Sequence, residues 1–394
     1  MTKILAVSAV LLFLLTASSA LSAAPTEIRI GATVSETGKF ATEVGPFSRL
    51  FTAWAELINA KGGLRLKKYG ASVPVKTIVY DDQSQEAATR RLYERLAVKD
   101  RVDFMFGPYS SPLTFSASVA AENRDIPFLA ICANSPKIYS RGFQWLACVI
   151  DEAPRYTYRY WEMVKARGSD ATVGFVVEDT LHPLGVYQGA RVLAREAGLT
   201  EVSAHILAPD TQDFTPVLAA LEKAKPDIIF VSANIPFSIA FMKQALEYGL
   251  SPKEWHVIHH SGVFRDTLGA MADSIVGQIY WTPRAGDDMS RFWVQILERA
   301  NVDTAMYPWA PAYLAAFQVA QQAIENAGSL DKAEIMKSLK ALRTRTPLGE
   351  AWFKENGSGA VNTYPAQIQG GNYVIVWPPE MADGKPVYPA PVPK

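Results

Sequence analysis

The chain has 394 residues, 39 of them basic and 39 acidic, and 49% hydrophobic. This balance, with no long run of like charge, excludes the strongly basic partner surfaces that engage nucleic acid or an anionic membrane. The length exceeds what a single core usually serves, so two domains are expected.

Lys3, an apolar run over 4–15 and small residues over 16–24 form the pattern of a secretory signal peptide, predicted over 1–24. The apolar run is shorter than the roughly 20 residues that span a bilayer. Small residues at Ser22 and Ala24 permit cleavage close to Pro25. A soluble, periplasmic protein follows. Its two cysteines, Cys132 and Cys148, could pair in an oxidising compartment or pack as buried thiols, and the sequence leaves both readings open.

From Glu27, short β-branched runs alternate with amphipathic stretches. Ile28, Ile30 and Val34 open a strand, and Phe47, Leu50, Phe51, Trp54, Leu57 and Ile58 recur with helical spacing. Strands are predicted over 73–80, 102–106, 126–131 and 143–150, with helices over 84–100 and after Ser111. A second cycle follows, with strands at 171–177, 201–207, 227–231, 255–258 and 275–281. Its helices lie at 154–167, 184–197, 214–224, 236–249 and 263–272. Alternation of this kind builds parallel sheets covered on both faces. The rhythm then breaks into helices near 288–301, 309–327 and 331–342, followed by Leu348 to Lys354, a glycine turn, two strand-like runs around Ala366 and Val374, and a proline-rich tail from Val387. Such a tail can return to complete both units, with several chain crossings between them and a cleft at the hinge.

Ligands of open parallel sheets bind beyond the carboxyl ends of the strands. After the strand ending at Phe106 comes Gly107-Pro108-Tyr109-Ser110-Ser111-Pro112, a glycine turn, a capping serine and a proline suited to the start of a helix. A helix N-terminus here would favour a carboxylate, with a hydrogen bond from the Ser111 hydroxyl. It would equally serve as an ordinary capped helix. Ala130-Ile131-Cys132-Ala133-Asn134-Ser135-Pro136 follows the next strand and offers backbone groups to a ligand, or simply makes a loop.

Taken with Ile28-Arg29-Ile30-Gly31, Ile58-Asn59-Ala60-Lys61-Gly62-Gly63, Tyr80-Asp81-Asp82, Arg141-Gly142-Phe143-Gln144 and Lys225-Pro226-Asp227, the chain resembles the leucine/isoleucine/valine-binding family of type I periplasmic binding proteins. The resemblance implies an α/β fold of two doubly wound parallel-sheet lobes joined by a three-crossing hinge, one lobe of 25–151 with 283–350 and the other of 152–282 with 351–394. It implies a monomer that takes up a small amino acid or related carboxylate by lobe closure. The loaded protein would present the solute to an ABC transporter permease in the cytoplasmic membrane or, alternatively, signal through a membrane receptor. Ser111 matches the family's carboxylate-binding serine, and Cys132 and Asn134 fall where members usually carry alanine and threonine. The acidic residue that pairs with a ligand ammonium falls at Ser261, and the family's tyrosine positions fall near Leu184 and at Asn234. An ammonium buried without a carboxylate is costly, so Glu43, Glu178 or Asp179 would have to replace it, or the ligand is an amine-free aromatic or aliphatic acid. Leu184, Phe237, Trp281 and Tyr109 would then wall the cleft or pack in the core. The family's disulfide positions fall at Ser84 and Ser110. The ligand-binding set expected is therefore Ser111, Cys132, Asn134, Asn234 and Ser261, with neither cofactor nor metal.

No G-x-S-x-G, H-E-x-x-H, phosphate loop or G-x-G-x-x-G after a strand is present, so the sequence carries no enzyme signature of those classes. His256, His259 and His260 form the one histidine cluster. Strand alternation would put His256 and His260 on one face, where hydrogen bonding is the expected role.

Overall fold

The computed structural model describes residues 23–168, 170–281, 288–346 and 348–391. Most of the expected signal peptide, the second expected crossing near 283 and the last three residues lie outside the described residues. Among these residues no helix is long and apolar enough to cross a membrane.

The first sheet contains β1 (Ile28–Val34), β2 (Val75–Asp81), β3 (Phe104–Phe106), β4 (Phe128–Ala130) and β5 (Leu146–Cys148), in the order β2-β1-β3-β4-β5 and parallel throughout. Helices α1 (Ser48–Ala60), α2 (Glu86–Val98) and α3 (Ser111–Asn123) connect these strands. Leu50, Phe51, Trp54 and Ile58 form the buried stripe of α1, which is the face that the helical spacing requires.

The second sheet begins with β6 (Thr172–Glu178), β7 (Thr200–Leu207), β8 (Ile228–Ser232), β9 (Glu254–Val257) and β10 (Val276–Ile279). Two late strands, β11 (Tyr364–Gln369) and β12 (Asn372–Ile375), join it antiparallel, giving the order β12-β11-β10-β9-β8-β6-β7. Its helices are α4 (Tyr158–Arg167), α5 (Leu181–Glu196), α6 (Thr215–Ala224), α7 (Ile235–Tyr248) and α8 (Gly262–Leu268). Hairpins pair Leu64–Leu66 with Ala71–Val73, and Thr344–Thr346 with Gly349–Ala351; the sequence reading marked the segment 348–354 but neither pairing.

The break in rhythm after β10 has a packing cause. Of α9 (Asp288–Ala300), α10 (Ala310–Ala327) and α11 (Lys332–Ala341), α10 is buried on nearly every side over its first three turns. It returns to the first sheet, where Phe317 stacks on Trp54 at 4.9 Å and meets Phe51 and Phe106 edge-on. The tail then pairs with the second sheet through β11.

Two of the crossings run side by side. Ile150 bridges Val361 in parallel, Asp151 N–H donates to the Val361 carbonyl at 2.9 Å, and Gly359 N–H donates to the Ile150 carbonyl at 3.2 Å. The approach requires glycine, because a Cβ on Gly359 would sit 2.2 Å from the Val149 carbonyl oxygen. The Asp151 carboxylate ties this junction together, taking Arg155 at 3.0 Å, Asn362 at 3.3 Å and Lys354.

Candidate functional site

The carboxyl ends of both sheets face one another across a cleft, and nearly every residue lining it follows directly on a strand. Lys39 and Phe40 come after β1, Tyr109 to Pro112 after β3, Cys132 and Asn134 after β4, and Ile150 and Tyr156 after β5. From the second sheet come Thr180, His182 and Pro183 after β6, Asn234 after β8, His259 after β9 and Tyr280 after β10, while Trp309 closes the cleft from the start of α10. The space between them, open solvent at the mouth included, is about 490 Å³.

The β1 loop is held by an acidic pair. Asp82 accepts from the Thr33 and Ser35 hydroxyls at 2.6 Å each, and Asp81 accepts from the Thr37 hydroxyl at 2.7 Å. Ser84 accepts from Phe40 N–H at 3.1 Å. These contacts present Phe40 to the cleft, where a chain of rings continues. Phe40 meets Tyr109 at 5.5 Å, Tyr109 meets Trp309 at 6.2 Å, and Trp309 meets His259 at 5.1 Å. His259 lies parallel to His182 at 5.1 Å, and Tyr156 stands edge-on to His182 at 5.0 Å. This aromatic wall favours a planar guest.

Polar atoms converge on the same space. Ser110 Oγ, Tyr156 OH, His182 Nε2 and His259 Nδ1 are buried without a hydrogen-bond partner among the described residues. Burial raises the pKa of the Tyr156 phenol. The N-terminal ends of α3, α5, α7 and α10 all open onto the cleft, and first-turn N–H groups lack intrahelical acceptors. The end of α7 is already occupied. Glu178 accepts from Asn234 N–H at 2.7 Å and from its side-chain amide at 3.0 Å, and Glu43 accepts from Ile235 N–H at 3.4 Å.

Glu43 also accepts from the Tyr109 hydroxyl. Burial lifts its carboxyl to about 7, against the lowering effect of those two donors, and burial raises Glu178 as well. Burial drives His182 down to about 4 and holds His259 well below the usual range, with His182 and His260 adding to the effect. Both imidazoles are therefore neutral at pH 7.

Two hydrogen bonds in the cleft join the sheets: Ile235 N–H to Glu43, and His182 Nδ1 to Asn134 Oδ1 at 2.7 Å. The structure is thus a closed form. Of the expected site residues, Ser111, Cys132, Asn134 and Asn234 line the cleft. The roles of several differ from expectation. Ser110, not Ser111, occupies the N-cap position of α3, and the Ser111 hydroxyl accepts from Ser135 N–H at 3.2 Å. Ser261 is fully buried but does not line the cleft; its hydroxyl caps α8, accepting from Phe264 N–H at 3.4 Å. Of the apolar wall expected, Tyr109 lines the space, whereas Leu184, Phe237 and Trp281 do not. Cys132 and Cys148 are free thiols, and Cys148 Sγ donates to the Ala133 carbonyl at 3.6 Å.

The histidine cluster divides. His256 meets Gln278 at 3.0 Å and His260 meets the Ala366 carbonyl at 2.9 Å, while His259 alone turns into the cleft. Sequence reasoning passed over Phe40, Tyr156, His182, Tyr280 and Trp309 as cleft residues. Phe40, Tyr156 and His182 lie after predicted strands, so the strand-end rule could have nominated them; Tyr280 fell inside the strand predicted over 275–281, which ends instead at Ile279, and Trp309 precedes a helix and carried no such signal.

A family profile described as "Periplasmic binding protein" matches residues 27–372. Among curated proteins, the chain is similar to Leu/Ile/Val-binding protein homolog 7 of Brucella abortus, with 21% identity over 382 residues, 90% of this chain and 92% of that protein. Among solved structures, it resembles the branched-chain amino acid transporter substrate-binding protein LivJ of Streptococcus pneumoniae in complex with isoleucine. There the TM-score is 0.76 at 17% identity, over 92% of this chain and 100% of the other. A solute-binding protein of an ABC transporter from R. palustris, in complex with 4-hydroxybenzoate, gives a TM-score of 0.75 at 17% identity, over 88% and 95% of the two chains.

Proposed function

The chain belongs to the periplasmic binding protein family, and from that membership we propose that it captures an amine-free aromatic carboxylate and delivers it to an ABC transporter permease. The observation that carries this reading is the lining of the cleft, rich in rings and free of Asp and Glu among its described residues. Of the three acids that could have served instead, Glu43 and Glu178 already accept hydrogen bonds from Tyr109, Ile235 and Asn234, and Asp179 is exposed and does not line the cleft. An α-amino acid would bury its ammonium without a free carboxylate, at a cost of several kcal/mol. A lone carboxylate instead meets the ends of α3 and α5 and the Ser110 hydroxyl, with Lys39 at the mouth. The R. palustris protein supports the reading as a precedent on the same fold, and the leucine-type relatives are the contrast.

The export signal over 1–24 supports action in the periplasm. The lobes, 25–151 with 283–350 and 152–282 with 351–394, would open about the junction of Ile150 with Val361, and a solute touching both would stabilise the closed form. The permease would recognise that closed surface. A thermal-shift screen of the mature protein tests the proposal, since a ligand at about 100 times its Kd adds roughly 2.7 kcal/mol. Benzoate-type acids are expected to raise the unfolding midpoint, whereas leucine, isoleucine and valine leave it in place. A rise with the amino acids alone would sink the proposal.

A further inference from the structure

The orientation of one amide decides what kind of group the cleft can accept. Asn134 Nδ2 donates to the Asp151 carbonyl at 3.0 Å, and a peptide oxygen only accepts, so the side-chain oxygen is the atom that faces His182 Nδ1 at 2.7 Å. An amide oxygen has no proton to give. The proton in that contact therefore belongs to His182 Nδ1, and a neutral imidazole carries just one. Burial keeps this ring neutral, with its pKa near 4.

Nε2 is left as a bare acceptor. It is buried without a partner among the described residues, and the neighbouring Tyr156 hydroxyl, equally unpartnered, makes no hydrogen bond to it. The ring cannot easily turn away, since it lies parallel to His259 and has the Tyr156 edge against it. A buried acceptor with no donor opposes closure, and a guest that supplies a donor favours it. Resting on the carboxylate reading above, we infer that His182 selects guests carrying a hydrogen-bond donor, a hydroxyl on the ring of an aromatic acid, and that Asn134 is the positioning residue that sets its tautomer. Because Asn134 follows β4 of the first sheet and His182 opens α5 of the second, the tautomer is set as the lobes close. The hydroxyl is thus read in the closed form.

Calorimetry on the whole mature protein at pH 7.5 with benzoate, the three hydroxybenzoates and the three methoxybenzoates tests this. At least one hydroxy acid is expected to bind about tenfold more tightly than both benzoate and its own methyl ether, the worth of one good hydrogen bond. His182→Phe is expected to shrink that preference to about twofold. Nitrogen-15 NMR of the native protein with the hydroxy acid bound should show Nδ1 of His182 protonated and Nε2 not, a readout that needs no variant to fold. Equal affinity for the hydroxy, methoxy and unsubstituted acids would overturn the role of His182 and leave the carboxylate reading intact. A protonated Nε2 would overturn it as well. Failure of every acid to bind would remove the carboxylate reading and this inference with it.

Discussion

Ser110 holds φ +79 and ψ 148, a region that glycine enters freely and other residues enter under strain. Its hydroxyl is also one of the unpartnered atoms of the cleft, so the strain sits where a ligand contact is expected. Ser110→Gly is predicted to stabilise the protein by about 1 kcal/mol while weakening binding of the preferred acid about fivefold to tenfold. Urea denaturation and calorimetry check the two effects separately; full affinity in the variant would show that this hydroxyl touches no ligand. The residue scale is also where the sequence was least informative. Gly107-Pro108-Tyr109-Ser110-Ser111-Pro112 announced a helix start, yet which serine stays free depended on Ser135, whose N–H donates to Ser111 from the neighbouring loop.

At the scale of elements, the periodicities were legible because burial imposes them: β6, α6 and α10 each lie within one residue of their predicted bounds at both ends. The late strands were less legible as partners, since a strand-like run such as 364–369 says nothing of the strand it will join. The segment around Gly359 shows the same limit. Its glycine was visible as a turn, whereas its contact with the backbone of residues 148 and 149 comes from chain crossings distant in sequence. Gly359→Val is predicted to cost about 1–3 kcal/mol by forcing apart the paired crossings. A urea midpoint equal to that of the native protein would show that the junction yields without cost.

For the whole molecule, closure is predicted to be coupled to protonation. If opening exposes Glu43, its carboxyl returns toward the usual 4.5 from about 7, so the closed form binds the proton more tightly, and closure is expected to strengthen as pH falls through 7 toward 4.5. His182 works in the opposite direction, because its pKa falls from 6.5 to about 4 on burial, and His259 falls with it. Closure therefore weakens as pH drops below 6.5 and these two rings must lose protons to close. Ligand affinity is expected to be greatest near pH 6.5, nearly flat above pH 7.5 and reduced toward pH 5. Glu43→Gln should abolish the gain between pH 8 and 6.5 while keeping the acid loss. Calorimetry across that range decides it, and an affinity that rises steadily with pH would contradict the assignment.

By itself the sequence determined the alternation of strands and helices, the export signal as an expectation, the strand ends at which Ser111, Cys132 and Asn134 reach the cleft and, through its resemblance, the family and the place of Asn234. The alternation and the strand ends are local properties, set by spacing along the chain and by the rule that parallel sheets bind at their carboxyl ends. Tertiary structure alone decided that Glu43 lies buried against the start of α7, and that His182, His259, Tyr156 and Trp309 share one wall. Those outcomes depend on how two separately folded sheets face each other, and contacts between residues so far apart in the chain leave no period or spacing to read.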